Sequence, residues 1–303
     1  MAETPCFLKS GVLYSLKSGF LRAAPHYVTD IWKENAMKIG YAFGPTNAET
    51  IARAAYVGAD YVELVLCDMV NETEETLKEE AALLKKQGLS VRSYICMLPS
   101  HLKVTGPSMD IDAIRSYLDE ALGRAKKFFG APLVVFGSTG ARCVKEGETR
   151  EAAYKDAKRF LTEALLPALE KYGMRCVLEP LSDDTLFPTM ELAEAFVREI
   201  GEERFGLLAD FYHVGVMKEP LSSSLYEGFS LGHTHMASPK NLRRPPLPED
   251  GDEAFYREAF AYLKKIGYAG DMSLECTLHE ENPVEKLKVS VAYVKSLAKQ
   301  AGF

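Results

Sequence analysis

The chain has 303 residues, 47% of them hydrophobic and 26% charged, and its 36 basic against 43 acidic side chains leave a formal charge of −7. This is ordinary globular composition, which excludes a fibre or a disordered chain. It also denies the molecule a whole-surface basic field for nucleic acid, although a local basic patch stays open.

Residues 1–36 carry no sustained hydrophobic period, and Lys9, Lys17 and Arg22 interrupt every stretch that a secretory signal would use. Such a signal needs ~7–15 unbroken apolar residues. The expected division is an amino-terminal extension or misplaced start over 1–36 and one catalytic domain over 37–303. No stretch approaches the ~18 apolar residues that span a bilayer, so no membrane partner is expected. The cysteines Cys6, Cys67, Cys96, Cys143, Cys176 and Cys276 form no CxxC pair and lie mostly in or beside apolar runs. They are expected to be reduced, half-buried thiols of a cytoplasmic protein, without a disulfide framework or zinc cluster.

From Lys38 onward short apolar runs alternate with helical periods. The runs are 39–43, 61–66, 91–96, 133–136, 176–178, 205–209, 230–233 and 272–274. They are bounded by Gly, Pro, Asp or Ser and several are β-branched or aromatic, as buried parallel strands should be. Between them the period changes to about 3.6. The one-sided stripes are Leu77, Ala81 and Leu84; Ile111 to Ala125; Phe160 to Leu169; Leu192 to Ile200; Phe255 to Ile266; and Val284 to Val294. Each lets a helix bury one face and solvate the other. The weakest helical pattern follows the sixth run, around Lys218 to Gly228. Eight strand–helix units without a linker predict a single-domain α/β fold, the (β/α)8 TIM barrel. An open doubly wound sheet competes, but Gly40 to Gly44 lacks its GxGxxG fingerprint.

A closed parallel barrel brings the carboxyl ends of all its strands to one rim, where catalytic groups sit. Four consecutive strand ends carry Glu179, Asp210, His235 and Glu275. Three carboxylates crowded there would resist ionisation unless a cation held them. Three oxygen donors and one imidazole suit a divalent ion with about six positions: Mn²⁺ first, then Mg²⁺ or Co²⁺, with Zn²⁺ also compatible.

These residues resemble the xylose isomerase-like TIM barrels, the sugar phosphate isomerases/epimerases, and in particular the ketose 3-epimerases. The resemblance runs from Lys38 to the carboxyl end and rests on Leu178-Glu179-Pro180-Leu181, Asp210-Phe211-Tyr212-His213, Gly232-His233-Thr234-His235, the closing Ile266 to Glu275 and Val135-Phe136-Gly137-Ser138. It implies that Glu179, Asp210, His235 and Glu275 ligate the metal, that Glu179 and Glu275 double as the catalytic acid/base pair, and that His213 contacts a substrate hydroxyl. It implies an epimerase or isomerase that moves a proton beside a carbonyl of a small carbohydrate, a ketose, through an enediolate, without an organic cofactor. Relatives form dimers or tetramers, so a homo-oligomer stays open.

Arg243 and Arg244, in the cationic loop after the seventh strand, are expected to bind substrate oxygens. Ketose 3-epimerases carry an arginine in this region, but at a different spacing, and the acidic residue they place after the metal histidine is replaced by Met236-Ala237-Ser238. His233, two residues before His235, points to the same side and is expected deeper, as a supporting partner. His101 and His279 lie in strand-end loops. Tyr41 and Phe43 would either wall a sugar ring or fill the core. Gly137 to Gly140 would form a tight turn or cradle an anion.

A dehydratase or lyase acting on a keto-sugar or cyclitol starts from the same proton abstraction and is the main alternative. An endonuclease IV-like repair nuclease is a remoter one. Such nucleases need metal-binding histidines where this chain has Leu66-Cys67-Asp68 and Phe136-Gly137-Ser138. No nucleic-acid partner is expected.

Overall fold

The computed structural model describes residues 36–144, 147–182, 185–221, 231–240, 242–279 and 281–303. The expected extension lies outside them except for Ala36, as do Cys6 and the greater part of the pattern at Lys218 to Gly228.

Eight parallel strands close into one barrel in sequence order. They are β1 Ile39–Phe43, β2 Val62–Val65, β3 Val91–Ile95, β4 Leu133–Phe136, β5 Arg175–Leu178, β6 Phe205–Asp210, β7 Leu231–Met236 and β8 Met272–Glu275, with β8 pairing back onto β1. The helices between them are α1 Ala48–Tyr56, α2 Leu66–Met69, α3 Glu74–Lys86, α4 Ile111–Phe128, α5 Arg150–Phe160, α6 Leu166–Tyr172, α7 Met190–Ile200, α8 Phe211–Met217, α9 Glu253–Lys265 and α10 Pro283–Gln300. A π-helical turn, Leu161–Leu165, joins α5 to α6.

Period-2 alternation sorts the strand residues into two cores. Ile39, Tyr41 and Phe43 belong to the large layer between sheet and helices. Ala42 belongs instead to a small inner cluster with Ile95, Leu133, Val135, Val177 and Leu208. Tyr41 and Phe43 are therefore core residues and no sugar-facing wall. The inner cluster, with Val65 packed against it, fills part of the barrel interior.

Local chemistry starts the helices. Asn47 and Thr50 form a reciprocal capping box at α1, and Thr73, Asp110, Thr149 and Thr189 cap α3, α4, α5 and α7. The helical segment after β6 begins earlier than the weak pattern suggests, because Asp210 itself caps α8 by accepting from Tyr212 N–H. Two stripe positions differ from expectation. Leu192 is exposed while Met190, Ala193, Phe196 and Val197 carry the buried face of α7. In α3 the buried position is Glu80, with Ala81 only half-buried. Among the described residues no helix is long and apolar enough to cross a membrane.

Candidate functional site

Asp210 closes β6, Glu275 closes β8, His235 lies inside β7, and Glu179 follows β5 directly. A register shift between Leu207 and Leu208 brings β6 and β7 into step, so that Asp210 and His235 pair side by side. One ligand atom from each of Glu179, Asp210, His235 and Glu275 lies within 4.8 Å of the others, so the four could hold a metal ion. The positions expected from the sequence do converge.

Each side chain is placed by identifiable neighbours. A Cβ on Gly137, at the end of β4, would meet Glu179 Oε2 at 2.2 Å, so glycine there makes room for the carboxylate. Behind it the buried Arg142 donates to the carbonyls of both Gly137 and Glu179. Asp210 divides its oxygens: Oδ1 caps α8, and Oδ2 faces the cluster. His235 Nδ1 stands 3.1 Å from Glu275 Oε2 and 3.5 Å from Glu179 Oε1.

Two further groups complete the rim. His213 Nδ1 accepts from the backbone N–H of Ser182 at 3.0 Å and lies 2.7 Å from Ser182 Oγ. A backbone N–H can only donate, so Nδ1 is unprotonated and Nε2 carries the ring proton. That Nε2 is buried without a hydrogen-bond partner, 3.7 Å from Asp210 Oδ2. Arg243 enters from the loop after β7. Its Nη2 lies 2.5 Å from Glu275 Oε2 and 3.2 Å from Asp210 Oδ2, and its guanidinium stands over the Tyr212 ring. Leu242 and Arg243 both adopt left-handed backbone, at φ 51° and 62°. Such non-glycine residues cost of order 1 kcal/mol or more unless held. Thr277 holds both, its N–H donating to the carbonyl of Arg243 and its hydroxyl to that of Leu242. Arg243, expected against substrate oxygens, is here the counter-charge of the carboxylates. Arg244 is half-buried, its carbonyl accepting from Ser238 N–H.

The electrostatics separate the two glutamates. Burial, with Glu275 beside it, pushes the Glu179 carboxyl up. Burial would raise Glu275 as well, but Arg243 and His235 override it and hold that carboxyl down at about 2. His235 is held well above its ordinary value: burial opposes this, and Glu63, Glu179 and Glu275 outweigh it. Glu179 Oε1 and His235 Nδ1 are both buried without a hydrogen-bond partner. Buried atoms without partners converging among carboxylates, with the His235 Nδ1 proton displaced on binding, are the donor set a divalent cation satisfies, so the residues fit the expected group.

Other residues fall differently. His233 does lie deeper than His235, as expected. Both imidazoles donate Nε2 toward Glu63, an inward residue of β2 that is fully buried. Glu63 was not singled out as a candidate from the sequence. Its signal was a lone carboxylate between Val62 and Leu64 in an otherwise apolar strand. Arg142 and Ser182 were also missed, since neither stands at a strand end. His101 and His279 are exposed. Ser138 is left-handed, at φ 45°, and opens a tight turn over Thr139–Ala141, its hydroxyl accepting from Leu98 N–H. Cys67, Cys143 and Cys276 are half-buried thiols as expected, whereas Cys176 is buried and Cys96 exposed.

Comparison with known proteins places this geometry in context. No curated protein matches the sequence significantly. Solved structures do match in fold. The 3-keto-D-glucoside 4-epimerase of E. coli, in its apo form, superposes with a TM-score of 0.71 at 20% identity, covering 86% of this chain and 99% of its own. D-allulose 3-epimerase from Methylomonas sp., in complex with D-allulose, gives 0.71 at 18% identity over 87% and 98%. D-psicose 3-epimerase with D-tagatose, from Clostridium cellulolyticum H10, gives 0.67 at 17% over 88% and 96%. At these identities the likeness is one of fold. The family model described as xylose isomerase-like TIM barrel matches residues 51–297. Reaching across most of the chain, that match shows that the protein belongs to the xylose isomerase-like TIM barrel family.

Proposed function

We propose that this protein is a divalent-metal-dependent sugar epimerase or isomerase that acts on a ketose by moving a proton at the carbon beside its carbonyl. The observation that carries the reading is the convergence of Glu179 and Glu275 on His235, 3.5 and 3.1 Å away, in a chain of this family. The neighbours in fold are named as epimerases of D-allulose, D-psicose and a keto-glucoside, which supports a small carbohydrate as substrate.

Glu179, Asp210, His235 and Glu275 would hold the ion, with Mn²⁺ first by donor chemistry. When bound, such an ion polarises a carbonyl and stabilises enediolate charge. The chain's own residues then supply the proton traffic. One of Glu179 and Glu275 accepts the carbon-bound proton, and the other returns one to the opposite face. His213 donates its Nε2–H to a sugar oxygen, the partner this buried group otherwise lacks. Arg243 serves as counter-charge to Glu275 and Asp210 and as a second donor to substrate oxygens, with Arg244 beside it. The organisation that accompanies this reading is a catalytic domain over 37–303 following an extension over 1–36, in the cytoplasm.

Incubating chelator-treated, Mn²⁺-restored protein with free and phosphorylated ketoses in D₂O tests it. NMR should show solvent deuterium at the carbon beside the carbonyl and an inverted or isomerised sugar. Loss of water or of an aglycone would establish a dehydratase or lyase instead, and absence of exchange with every ketose would remove the reading.

A further inference from the structure

Glu63 sits at an unusual place for a carboxylate. It is an inward residue of β2, fully buried, below the rim and away from solvent. An unpaired charge there would cost several kcal/mol. Its partners are two imidazoles. His233 Nε2 lies 2.5 Å from Oε1 and His235 Nε2 lies 3.2 Å from Oε2. The two rings stand nearly perpendicular, at 86° with centroids 5.2 Å apart, so each oxygen serves a different ring and the carboxylate cannot rotate without losing one. Both imidazoles come from β7, two residues apart on one face, so a single strand presents both donors to a single acceptor.

The consequence is at the opposite edge of His235. A carboxylate accepts, so the Nε2 facing it carries a proton. Metal ligation takes the neutral ring, and with Nε2 protonated the proton that leaves is the one on the other nitrogen. That nitrogen, Nδ1, is buried, has no hydrogen-bond partner, and looks at Glu179 and Glu275.

We infer that Glu63 is a positioning residue of the metal site: it takes the Nε2 proton of His235, fixes the ring's tautomer and orientation, and so presents Nδ1 as the ligand, while His233 locks the carboxylate in that pose. This rests on the reading of the cluster as a metal site. A carboxylate behind a ligating histidine also raises the basicity of the ligand nitrogen, and mutating such outer partners typically costs 10–100-fold in metal affinity.

The test uses metal alone. Mn²⁺ is titrated calorimetrically into chelator-treated wild-type protein and into Glu63→Gln. Glutamine keeps the volume but replaces one of the two oxygens by a donating NH2, so it cannot receive protons from both rings. The expected result is a folded variant binding Mn²⁺ about 10–100-fold more weakly. A variant within twofold of wild type overturns the proposal and leaves the metal site standing, whereas wild type that binds no Mn²⁺ removes the site and the proposal together. Should the variant not fold, ¹⁵N NMR of the wild-type Zn²⁺ complex decides: a protonated Nε2 and metal-shifted Nδ1 on His235 is expected, and a metal-shifted Nε2 overturns it. A merely structural role for Glu63 would not dictate which nitrogen is ligated.

Discussion

Glu179 and Glu275 are chemically identical residues with different surroundings, and the difference lies in which cations reach them. Arg243 is 2.5 Å from Glu275 and 3.9 Å from Glu179, so only the first is held firmly ionised. Replacing either by glutamine should lower turnover by about 10²–10⁴-fold, the range for a lost general acid or base, in a steady-state assay on the ketose that the protein converts. His213 belongs to a different class. Its Nδ1 is spoken for by Ser182, and its free Nε2–H faces the site. His213→Asn should therefore reduce kcat/KM by roughly 10-fold or more, the loss of a buried hydrogen bond to substrate, while calorimetric Mn²⁺ affinity stays unchanged. A matching loss of metal affinity would instead make His213 part of the ion's support. None of this neighbour detail is legible in the sequence: Ser182 meets His213 only because the loop after β5 folds over the start of α8.

The elements were more readable than the contacts within them. Strand runs and helical stripes follow from period 2 against period 3.6, and these survive folding because each helix has one sheet to bury against. On α3 the pattern misled because a polar residue took an apolar position. Glu80 is buried on α3 at a place where the stripe favoured Ala81. Burial, with Glu72 and Asp68 adding like charge, pushes its carboxyl up to about 7. A raised carboxyl favours the fold fully only below the unfolded value near 4.5, and that contribution is lost as pH climbs to about 7. At pH 8 the buried charge is a net cost. Glu80→Gln should raise Tm by ~2–4 °C at pH 8, allowing about 1 kcal/mol after solvent screening, and leave it nearly unchanged at pH 4.5. Scanning calorimetry at the two pH values checks both halves, and a shift equal at both would assign the effect to packing.

At the scale of the whole molecule, barrel closure turns linear spacing into geometry. Parallel strands in sequence order send every strand's carboxyl end to one rim, which is why Glu179, Asp210, His235 and Glu275 could be chosen together from the sequence. The same closure hides what lies beneath. Glu63 meets His233 and His235 across the barrel interior, from a strand 170 residues earlier, and only the closed sheet brings them together. Arg243 was expected at the rim, but its grip on the carboxylates depends on two left-handed residues held by Thr277. The account stands or falls on the cluster gripping one divalent ion. Titrating Mn²⁺ into chelator-treated protein, with Asp210→Asn beside wild type, addresses this directly, because the asparagine oxygen still caps α8 while an uncharged NH2 replaces the oxygen facing the cluster. One ion per chain for wild type, and binding weakened by about 100-fold or more in the variant, beyond what loss of an outer partner usually costs, is the predicted result. Equal binding by the two proteins, or none by wild type, would contradict it.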